Sequence, residues 1–518
     1  MNPLYPQFSI EAARAYESSV LKGDSSRTEA AMESAGTAIG MALLEDYLEL
    51  NEWSESASIL ILGGKGLNTG DALVACEALL NYLPRMQLSL VSTVEESEMK
   101  PLVREVLSRL KSSLGEAFQI ISVADYLAGP STSFDVVIDG IYGLGFHPPL
   151  SEEVASLLRQ VNGRSDVGLR LSIDLPSGLT EGSSEPDTFV ADFTYIPGVA
   201  KKPCFEKENA GLVGRVRFLE LEVFAGQPEQ DCTDFVSSPN AHRAINRLRP
   251  SASDKRTYGH GLILAGSAHM PGAAIMATQG ALHAGIGLAT VFTPGRFYHY
   301  IAGSVPEAMW CPVPLKVDGT LDPDAVRIIS QSTDKATSLL IGPGLQMDRS
   351  TSFTVCRIVR ENPLPLVLDA SALTQDVMAA ILGRSLEAGP VILTPHPGEY
   401  ARILGPKEDT TDPAILMSFC RKYRVILVLK GHPTTICDGH KIISVCTGGP
   451  VLARGGSGDI LAGMLMAQLG QNHESPLETV ISTVTWHGAA GDSLARQRGS
   501  VAVTTTDLLP HLSVALRS

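Results

Sequence analysis

A glycine-rich turn that ends in a carboxylate is the first feature of this sequence that could do chemistry. Residues 455–458 are three glycines and a serine, Asp459 follows, and an apolar run with helical spacing begins at Ile460. Free backbone N–H groups at a helix N-terminus attract anions. A phosphate-binding loop of the P-loop type ends in a lysine, whereas this turn ends in an aspartate. A plain helix-capping role, with a stabilising effect of ~0.5–2 kcal/mol, is the alternative.

Two other segments place polar side chains after apolar, strand-like runs. Residues 430–434 read Lys-Gly-His-Pro-Thr, which can offer an ammonium, backbone N–H groups and a hydroxyl to phosphate oxygens. His396 and Glu399 lie in a turn whose two prolines restrict the backbone. A lone histidine is more often structural, but this turn favours a ligand role for His396.

The first half of the chain has a comparable set of residues. The stretch "GGKGLNTGDA" (63–72) follows one apolar run, and Asp139 and Asp174 end two others. Glycine-rich turns are common in dinucleotide-binding folds, and aspartates often cap turns. Ligands bind at the carboxyl ends of parallel strands, so these residues together favour a site.

The elements that would position these residues alternate between strand and helix, which predicts an α/β fold with parallel sheets. In the first half, strand-like runs occupy 58–64, 87–93, 134–145 and 169–179, and a helical run occupies 71–83. A polar stretch at 225–240 is interpreted as the domain junction. A second series follows, with a helix at 272–285 and strands at 260–267, 288–294, 338–345, 364–371, 389–399 and 424–436.

Composition limits the class of protein. The 518 residues carry a net charge of −15, which argues against nucleic-acid binding. The eight cysteines are scattered without zinc-finger spacing, as expected for reduced thiols in the cytoplasm. We find no apolar run long enough for a transmembrane helix and no secretory signal at the N-terminus, so a cytoplasmic protein without a membrane partner is expected.

The order of these motifs resembles a known family. In the second half, "YGHGLILAGSAHMPGAA", "IGPGL", "LTPHPGE", "LKGHPT" and "GGSGDILAG" are similar to the ribokinase-like NAD(P)HX dehydratase domain. In the first half, "GGKGLNTGDALVA", "IDGIYGLGF" and "SIDLPSGL" resemble the NAD(P)HX epimerase domain. Together they resemble the bifunctional NAD(P)H-hydrate repair enzymes. The resemblance implies a Rossmann-like three-layer sandwich over 1–225 and a ribokinase-like α/β domain over 226–518.

For the second half, the resemblance implies a phosphoryl-transfer site in which Asp459 is the general base. ADP or ATP, with magnesium, would be the co-substrate. Its contacts would be Lys430, Gly431, His432, Pro433, Thr434 and Gly458. The hydrated cofactor would contact Ala273, Gly344, His396 and Asp459. Two positions depart from the family pattern, namely Ser371, where an aspartate is usual, and Arg454, where a small or polar residue is usual.

For the first half, the resemblance implies a hydrate site and a potassium site. Asp174 would be catalytic, and the hydrate would also contact Leu67, Asn68, Thr69, Gly70, Asp71, Gly143, Leu144, Gly145, Phe146, His147, Pro148 and Pro149. The potassium ligands would be Asn68, Asp139 and Ser177. Leu67, Thr69 and Ala72 replace an asparagine and two glycines of the family pattern, and each lost polar contact could cost about 1–3 kcal/mol.

The resulting hypothesis is an enzyme that epimerises R- and S-NAD(P)HX and dehydrates the S form with ADP or ATP. Its partners would be NADHX or NADPHX and an adenine nucleotide, and we expect a homo-oligomer. An alternative within the same fold is a small-molecule kinase of the ribokinase-like class. In a further alternative the first half is a non-catalytic binding or scaffold module.

The Lys430→Ala variant tests the phosphate assignment. A lysine that ends an apolar strand should meet an anion, because burying an unpaired ammonium is costly. We expect the apparent constant for the nucleotide to rise more than that for the hydrate, measured in steady-state dehydration assays. Equal effects on both constants, or loss of folding, would contradict the assignment.

Overall fold

The computed structural model describes residues 4–129, 133–227, 232–295, 298–317, 320–405, 410, 412–472 and 474–517. The chain forms two compact units. The first unit is Tyr5–Cys232 with Ala495–Ser500, and the second is Thr233–Leu494 with Met1–Leu4 and Val501–Ser518. Residues 228–231 of the predicted junction lie outside the described residues, and the boundary between 225 and 226 stays a prediction.

The first unit is built on a parallel sheet covered by helices on both faces. Its strands are β1 (Leu4–Phe8), β2 (Ser58–Gly63), β3 (Gln87–Ser92), β4 (Phe118–Ser122), β5 (Phe134–Gly140), β6 (Val167–Ile173), β7 (Leu179–Thr180), β8 (Ser183–Ser184), β9 (Phe193–Pro197), β10 (Ala200–Lys201) and β11 (Arg215–Leu219). Its helices are α1 (Ile10–Leu21), α2 (Ser25–Asp46), α3 (Leu67–Leu79), α4 (Pro101–Leu114), α5 (Val123–Ala128), α6 (Glu152–Asn162) and α7 (Ala210–Val213). Seven strands pair in the order β11-β9-β6-β5-β2-β3-β4, all parallel.

Alternating side chains along these strands build two separate cores. Ile59 and Ile61 of β2 pack with α2, α3 and α4 on one face. Leu60 and Leu62 pack with α5 and α6 on the other. Both faces are buried, so the strands are apolar throughout. The predicted three-layer arrangement is confirmed.

The second unit has its own, larger sheet. Its strands are β12 (Asp234–Ser237), β13 (His260–Leu264), β14 (Leu288–Pro294), β15 (Met309–Val313), β16 (Ser338–Ile341), β17 (Leu366–Leu368), β18 (Val391–Leu393), β19 (Val425–Leu429), β20 (Thr434–Cys437) and β21 (Ile442–Val445). Its helices are α8 (Pro271–His283), α9 (Tyr298–Ile301), α10 (Asp324–Thr333), α11 (Arg349–Glu361), α12 (Gln375–Leu382), α13 (Pro397–Leu404), α14 (Pro413–Tyr423), α15 (Ser457–Gln471), α16 (Pro476–Arg498) and α17 (Leu508–Ala515). The strands follow the order β12-β21-β20-β19-β18-β17-β16-β13-β14-β15, and β20 is antiparallel to both neighbours.

The predicted α/β class is confirmed, and several elements depart from the predicted bounds. Of the predicted strand 389–399 only Val391–Leu393 is strand, and helix α13 begins at Pro397. Residues 424–436, expected as one strand, form the β19–β20 hairpin around residues 430–433. Part of the predicted junction, Asp234–Ser237, is strand β12, because it pairs in parallel with β21. Helix α3 begins at Leu67 rather than at residue 71. Helix α15 begins at Ser457, so Asp459 lies in its first turn.

None of the helices in the described ranges combines the length and the apolar character that crossing a bilayer requires. All eight cysteines fall within the described residues, and none forms a disulfide there.

Helices α8 and α15 of the second unit cross at two glycines. A Cβ at Gly463 would lie 1.9 Å from the carbonyl oxygen of Ala277, and one at Gly280 would lie 2.3 Å from that of Ile460. Glycine is therefore required at both positions for the backbones to approach this closely. This contact fixes the start of α15, which carries Asp459.

Gly463→Ala should lower the stability of the chain, by about 1–3 kcal/mol, because the added methyl overlaps a backbone atom that cannot rotate away. The measurement is the shift in the thermal unfolding midpoint. Gly272→Ala is the matched control, since a Cβ there meets no atom within 4 Å in the same helix pair. Unchanged unfolding of Gly463→Ala would show that the helices can separate freely.

Candidate active sites

A cleft of about 740 Å³ opens in the first unit at the carboxyl ends of its central strands. Volumes in this range suit small-molecule ligands. The cleft is lined by residues of the predicted hydrate site, namely Leu67, Asn68, Asp71, Gly143, Leu144, Gly145, Phe146, His147 and Asp174. The structure therefore brings three separate sequence motifs to one surface.

Asp174 is held in an unusual backbone conformation at the end of β6. Its φ is +71°, in the left-handed region that non-glycine residues rarely adopt. Its Oδ2 accepts a hydrogen bond of 3.0 Å from the Leu144 N–H, and its Oδ1 forms an ion pair with Lys201. Strained residues of this kind are concentrated at functional sites. The geometry fixes the carboxylate at the cleft wall.

Asp139, Ser177 and Asn68 also lie together, as the potassium assignment requires. The Ser177 hydroxyl donates to Asp139 Oδ1 at 2.6 Å, and the Ser177 N–H donates to Oδ2 at 2.7 Å. Asn68 Nδ2 donates to the Tyr142 carbonyl at 2.8 Å, while the Tyr142 N–H donates to the Ser177 hydroxyl at 3.0 Å. Burial raises the pKa of Asp139 to about 6, and the hydrogen bonds from Ser177 oppose that rise. Within the described residues no cationic side chain pairs with Asp139.

Four residues of the predicted hydrate site do not line the cleft. Thr69 is fully buried, and its hydroxyl accepts from the Gly64 N–H at 2.8 Å and donates to the Gly140 carbonyl at 2.9 Å. Gly70 packs against Met32 beneath the surface. Pro148 and Pro149 are exposed beside the cleft. A hydrate contact by these four stays a prediction.

In the second unit, Asp459 lies in the first turn of α15, close to the charged side chains of Lys430, Asp369 and Glu399. Gly456, the N-cap residue, has φ +93°. A Cβ at Gly458 would come within 3.1 Å of Lys430 Nζ. Burial raises the pKa of Asp459 to about 7. The negative charge of Asp369 adds to this effect, and the Lys430 ammonium opposes it.

Lys430 meets an anion, and in this structure the anion is a carboxylate. Its Nζ donates to Asp369 Oδ1 at 2.9 Å and lies 3.9 Å from Glu399 Oε2. The Thr394 hydroxyl donates to the same Asp369 oxygen at 2.7 Å. Asp369, Thr394 and Lys430 directly follow β17, β18 and β19, respectively. These strands are adjacent and parallel, so their carboxyl ends bring the three side chains together.

His396 caps helix α13. Its Nδ1 accepts from the N–H groups of Gly398 and Glu399 at 3.1 and 3.3 Å, and the Glu399 carboxylate accepts from the His396 N–H at 2.9 Å. The His396 side chain is 58 % exposed, so Nε2 faces outward, 3.5 Å from Glu399 Oε1. Ala273 and Gly344 are in close contact, since a Cβ on Gly344 would lie 2.7 Å from that of Ala273.

The β19–β20 loop carries the remaining residues of the predicted nucleotide site. Gly431 and His432 are exposed, and Pro433 and Thr434 are half-buried. The Thr434 hydroxyl donates to the Gly431 carbonyl at 2.9 Å. Their contact with a nucleotide stays a prediction.

Comparison with known proteins assigns both units. A family model described as NAD(P)H-hydrate dehydratase matches residues 261–513, and one described as YjeF-related protein N-terminus matches residues 28–202. The bifunctional NAD(P)H-hydrate repair enzyme Nnr of Moorella thermoacetica is 31 % identical over 486 residues, with 89 % of this chain and 87 % of the relative covered. The enzyme of the same name from Gloeobacter violaceus is 31 % identical over 504 residues, with 94 % of each covered.

The chain belongs to the family of bifunctional NAD(P)H-hydrate repair enzymes. A solved structure of the ADP/ATP-dependent NAD(P)H-hydrate dehydratase from Bacillus subtilis, co-crystallised with ATP and Mg²⁺, is 30 % identical and covers 54 % of this chain and 96 % of that chain, with a TM-score of 0.46. The predicted family and enzyme class are confirmed. The roles of individual residues stay predictions.

Departures from the repair-enzyme pattern have visible local consequences. Arg454 Nη2 donates to the Val501 carbonyl at 2.9 Å, so its guanidinium binds a backbone oxygen here. Ser371 is half-buried and lies two residues after Asp369. Thr69, where the family usually has glycine, supplies the buried hydroxyl that ties Gly64 to Gly140.

Sequence reasoning missed three polar residues of the repair-enzyme sites. Lys201 and Glu17 lie beside Asp174 in the first unit. In the second unit, His487 is buried with Nε2 at 3.4 Å from the Ser457 hydroxyl, at the start of α15. Burial lowers the pKa of His487 to about 4, so the ring is neutral there. Lys201 and His487 lie in two stretches that resemble the family, "VADFTYIPGVAKKP" and "HGAAGD", but no role was predicted for either residue.

Proposed function

We propose that this chain repairs hydrated nicotinamide cofactors in two steps. The segment 1–225 interconverts R- and S-NAD(P)HX, and the segment 226–518 converts S-NAD(P)HX to NAD(P)H with ADP or ATP. Membership of the repair-enzyme family supports both steps. The observation that carries the second step is Asp459, a carboxylate of raised pKa in the first turn of α15.

The second unit suits phosphoryl transfer followed by elimination. Asp459 takes the proton of the hydroxyl on the hydrated ring as that oxygen attacks the terminal phosphoryl group. Backbone N–H groups at the start of α15 stabilise charge that develops on the phosphoryl oxygens. Phosphate is a better leaving group than water. Its expulsion from C6, together with loss of a proton from C5, restores the double bond of the dihydronicotinamide. Nucleotide hydrolysis thereby drives the dehydration.

Asp459 has three charged neighbours that suit the nucleotide and its magnesium ion. Lys430 lies beside Gly458 and can exchange its Asp369 partner for a phosphate oxygen. Mg²⁺ in nucleotide sites binds substrate phosphates together with one or two carboxylates, and Asp369 and Glu399 are the carboxylates nearest Lys430.

Potassium fits the donor set around Asp139 in the first unit. Asp139 supplies a buried carboxylate without a cationic side-chain partner in the described residues, and Ser177 and Asn68 add neutral oxygens. Hard oxygen ligands of this kind suit such an ion. A bound cation would offset the buried charge and hold the Tyr142–Phe146 loop against the strand ends.

The Asp459→Asn variant tests the second step. The amide keeps the shape of the side chain but cannot accept a proton, so dehydration should fall about 10²–10⁴-fold with nucleotide binding nearly unchanged. In the parent chain the rate should fall as pH decreases through about 7, because the base must be ionised. Absorbance of NADH formed from purified S-hydrate measures both effects. If the Asp459→Asn variant turned over at the parental rate, Asp459 would serve only as a helix-capping residue.

The Asp174→Asn variant tests the first step in a full-length chain whose dehydratase is silenced by Asp459→Asn. Purified R-hydrate is supplied with potassium, and the S form is detected by an added, independent S-specific dehydratase. We expect conversion above the spontaneous rate, and its loss on Asp174→Asn. Asp166→Asn, at an exposed residue, is the control. A parental rate equal to the spontaneous one would favour the binding or scaffold alternative.

The cytoplasmic location, the homo-oligomer and the absence of a nucleic-acid partner are part of the same proposal. The net charge of −15 supports the exclusion of nucleic acid, and cysteines that form no disulfide in the described residues support the location. A stable phosphorylated product, instead of NADH, would favour the small-molecule kinase alternative.

A further inference from the structure

Lys201 is buried between two carboxylates in the cleft of the first unit. Its side chain is 1 % exposed, its ammonium forms an ion pair with Asp174 Oδ1, and it lies 3.4 Å from Glu17 Oε1. Glu17 comes from α1, which precedes the matched family segment that begins at residue 28. Burial alone would lower the pKa of Lys201, but Asp174 and Glu17 outweigh it and the pKa is raised. Lys201 is therefore a fixed positive charge.

A third carboxyl group, that of Asp71, borders the same cleft without such a partner. It lies in the first half of α3, and no hydrogen bond or ion pair to its carboxyl is formed within the described residues. Burial raises the pKa of Asp71 well above its usual range, and the charges of Asp174 and Glu17 add to the effect. Lys201 opposes the rise but pairs with the other two groups.

The cleft thus holds two aspartates in different electrostatic surroundings. Asp174 forms an ion pair with the Lys201 ammonium and accepts a hydrogen bond from the Leu144 N–H. Asp71 lies near the negative charges of Asp174 and Glu17, which favour its protonated form. The other ionisable groups on the cleft wall are Lys65, Glu98, Lys100, Tyr142 and His147. Two carboxyls whose surroundings differ in this way can serve as a base and an acid.

We propose that Asp174 and Asp71 are the base and the acid of ring opening, and that Lys201, tethered by Glu17, is the positioning residue that separates their roles. This inference rests on the proposed epimerisation. Asp174 takes the proton of the C6 hydroxyl as the C6–N1 bond breaks and the C6 aldehyde forms. Asp71 gives its proton to N1. Rotation about C5–C6 exposes the other face of the aldehyde, N1 attacks, and both protons return.

The first test compares Asp71→Asn with the parent in the full-length chain, with R-hydrate and potassium. Asparagine matches the shape of the side chain but cannot give up a proton in this way. We expect kcat for epimerisation to fall about 10²–10⁴-fold with KM nearly unchanged. Dehydration of S-hydrate by the same sample reports on folding. Parental kcat in Asp71→Asn would overturn the acid assignment.

The second test uses the pH profile of epimerisation in Lys201→Met. Removing the ammonium should move the alkaline limb to higher pH, because Asp71 loses the positive charge that opposes the rise of its pKa. Lys207→Met, at an exposed lysine nearby in sequence, is the matched control. If the variant is slower but its pH profile is unshifted, Lys201 forms only a structural ion pair, and its positioning role is overturned.

A third variant covers the case in which Lys201→Met does not fold. Glu17→Gln keeps the Lys201–Asp174 pair and removes one like charge from Asp71, so the alkaline limb should move to lower pH. An unshifted alkaline limb would contradict the proposal. If the parent chain dehydrates S-hydrate but never epimerises R-hydrate above the spontaneous rate, the epimerase function itself fails, which is a separate outcome.

Discussion

A lysine paired with an almost fully buried aspartate lies at the strand ends of each unit, and the surrounding polar residues depend on that pair. In the first unit the pair is Lys201–Asp174, and in the second it is Lys430–Asp369. Parallel strands bring their carboxyl ends to one edge, where side chains from separate segments meet. A buried carboxylate is tolerated there only with a counter-charge or hydrogen bonds. The ammonium supplies that counter-charge and leaves a nearby carboxyl, Asp71 or Asp459, poorly compensated.

This difference in charge compensation between the two carboxyl groups of each unit contributes to the raised pKa of the less compensated one, Asp459 or Asp71. The pKa of Asp459 is raised to about 7 by burial and by Asp369, which suits proton transfer near neutrality. The pKa of Asp71 is raised by burial and by Asp174. In each unit one carboxylate is neutralised by the lysine and the other is left to exchange a proton. Two different sheets thus reach the same electrostatic arrangement.

Much of this could be predicted from the sequence, because local signals mark the strand ends. Apolar runs located the central strands of both sheets, and the residues at or just after the strand ends included Asp139, Asp174 and Lys430. The β19–β20 hairpin was missed because residues 424–436 are apolar on both sides of a short turn. Strand β12 was missed because its pairing with β21 joins residues more than 200 positions apart.

The missed site residues have a similar explanation. Glu17 and Lys201 are 184 positions apart, and nothing local indicates that a helix near the N-terminus supplies a partner to a buried lysine. The role of Thr69 was also hidden. Its sequence position suggested a lost ligand contact, whereas the folded chain uses its hydroxyl to tie the loop after β2 to β5.

The close crossing of α8 and α15 determines which parts of the second unit can move during a catalytic cycle. Gly280 and Gly463 bring the two backbones into contact, and the same two helices carry Ala273 and Asp459. Sliding of one helix past the other would force backbone atoms together. If a nucleotide binds at the β19–β20 loop, as proposed, the exposed residues Gly431 and His432 can adjust around it without disturbing that crossing. If the motion of that loop is slower than the chemistry, the loop limits the turnover rate.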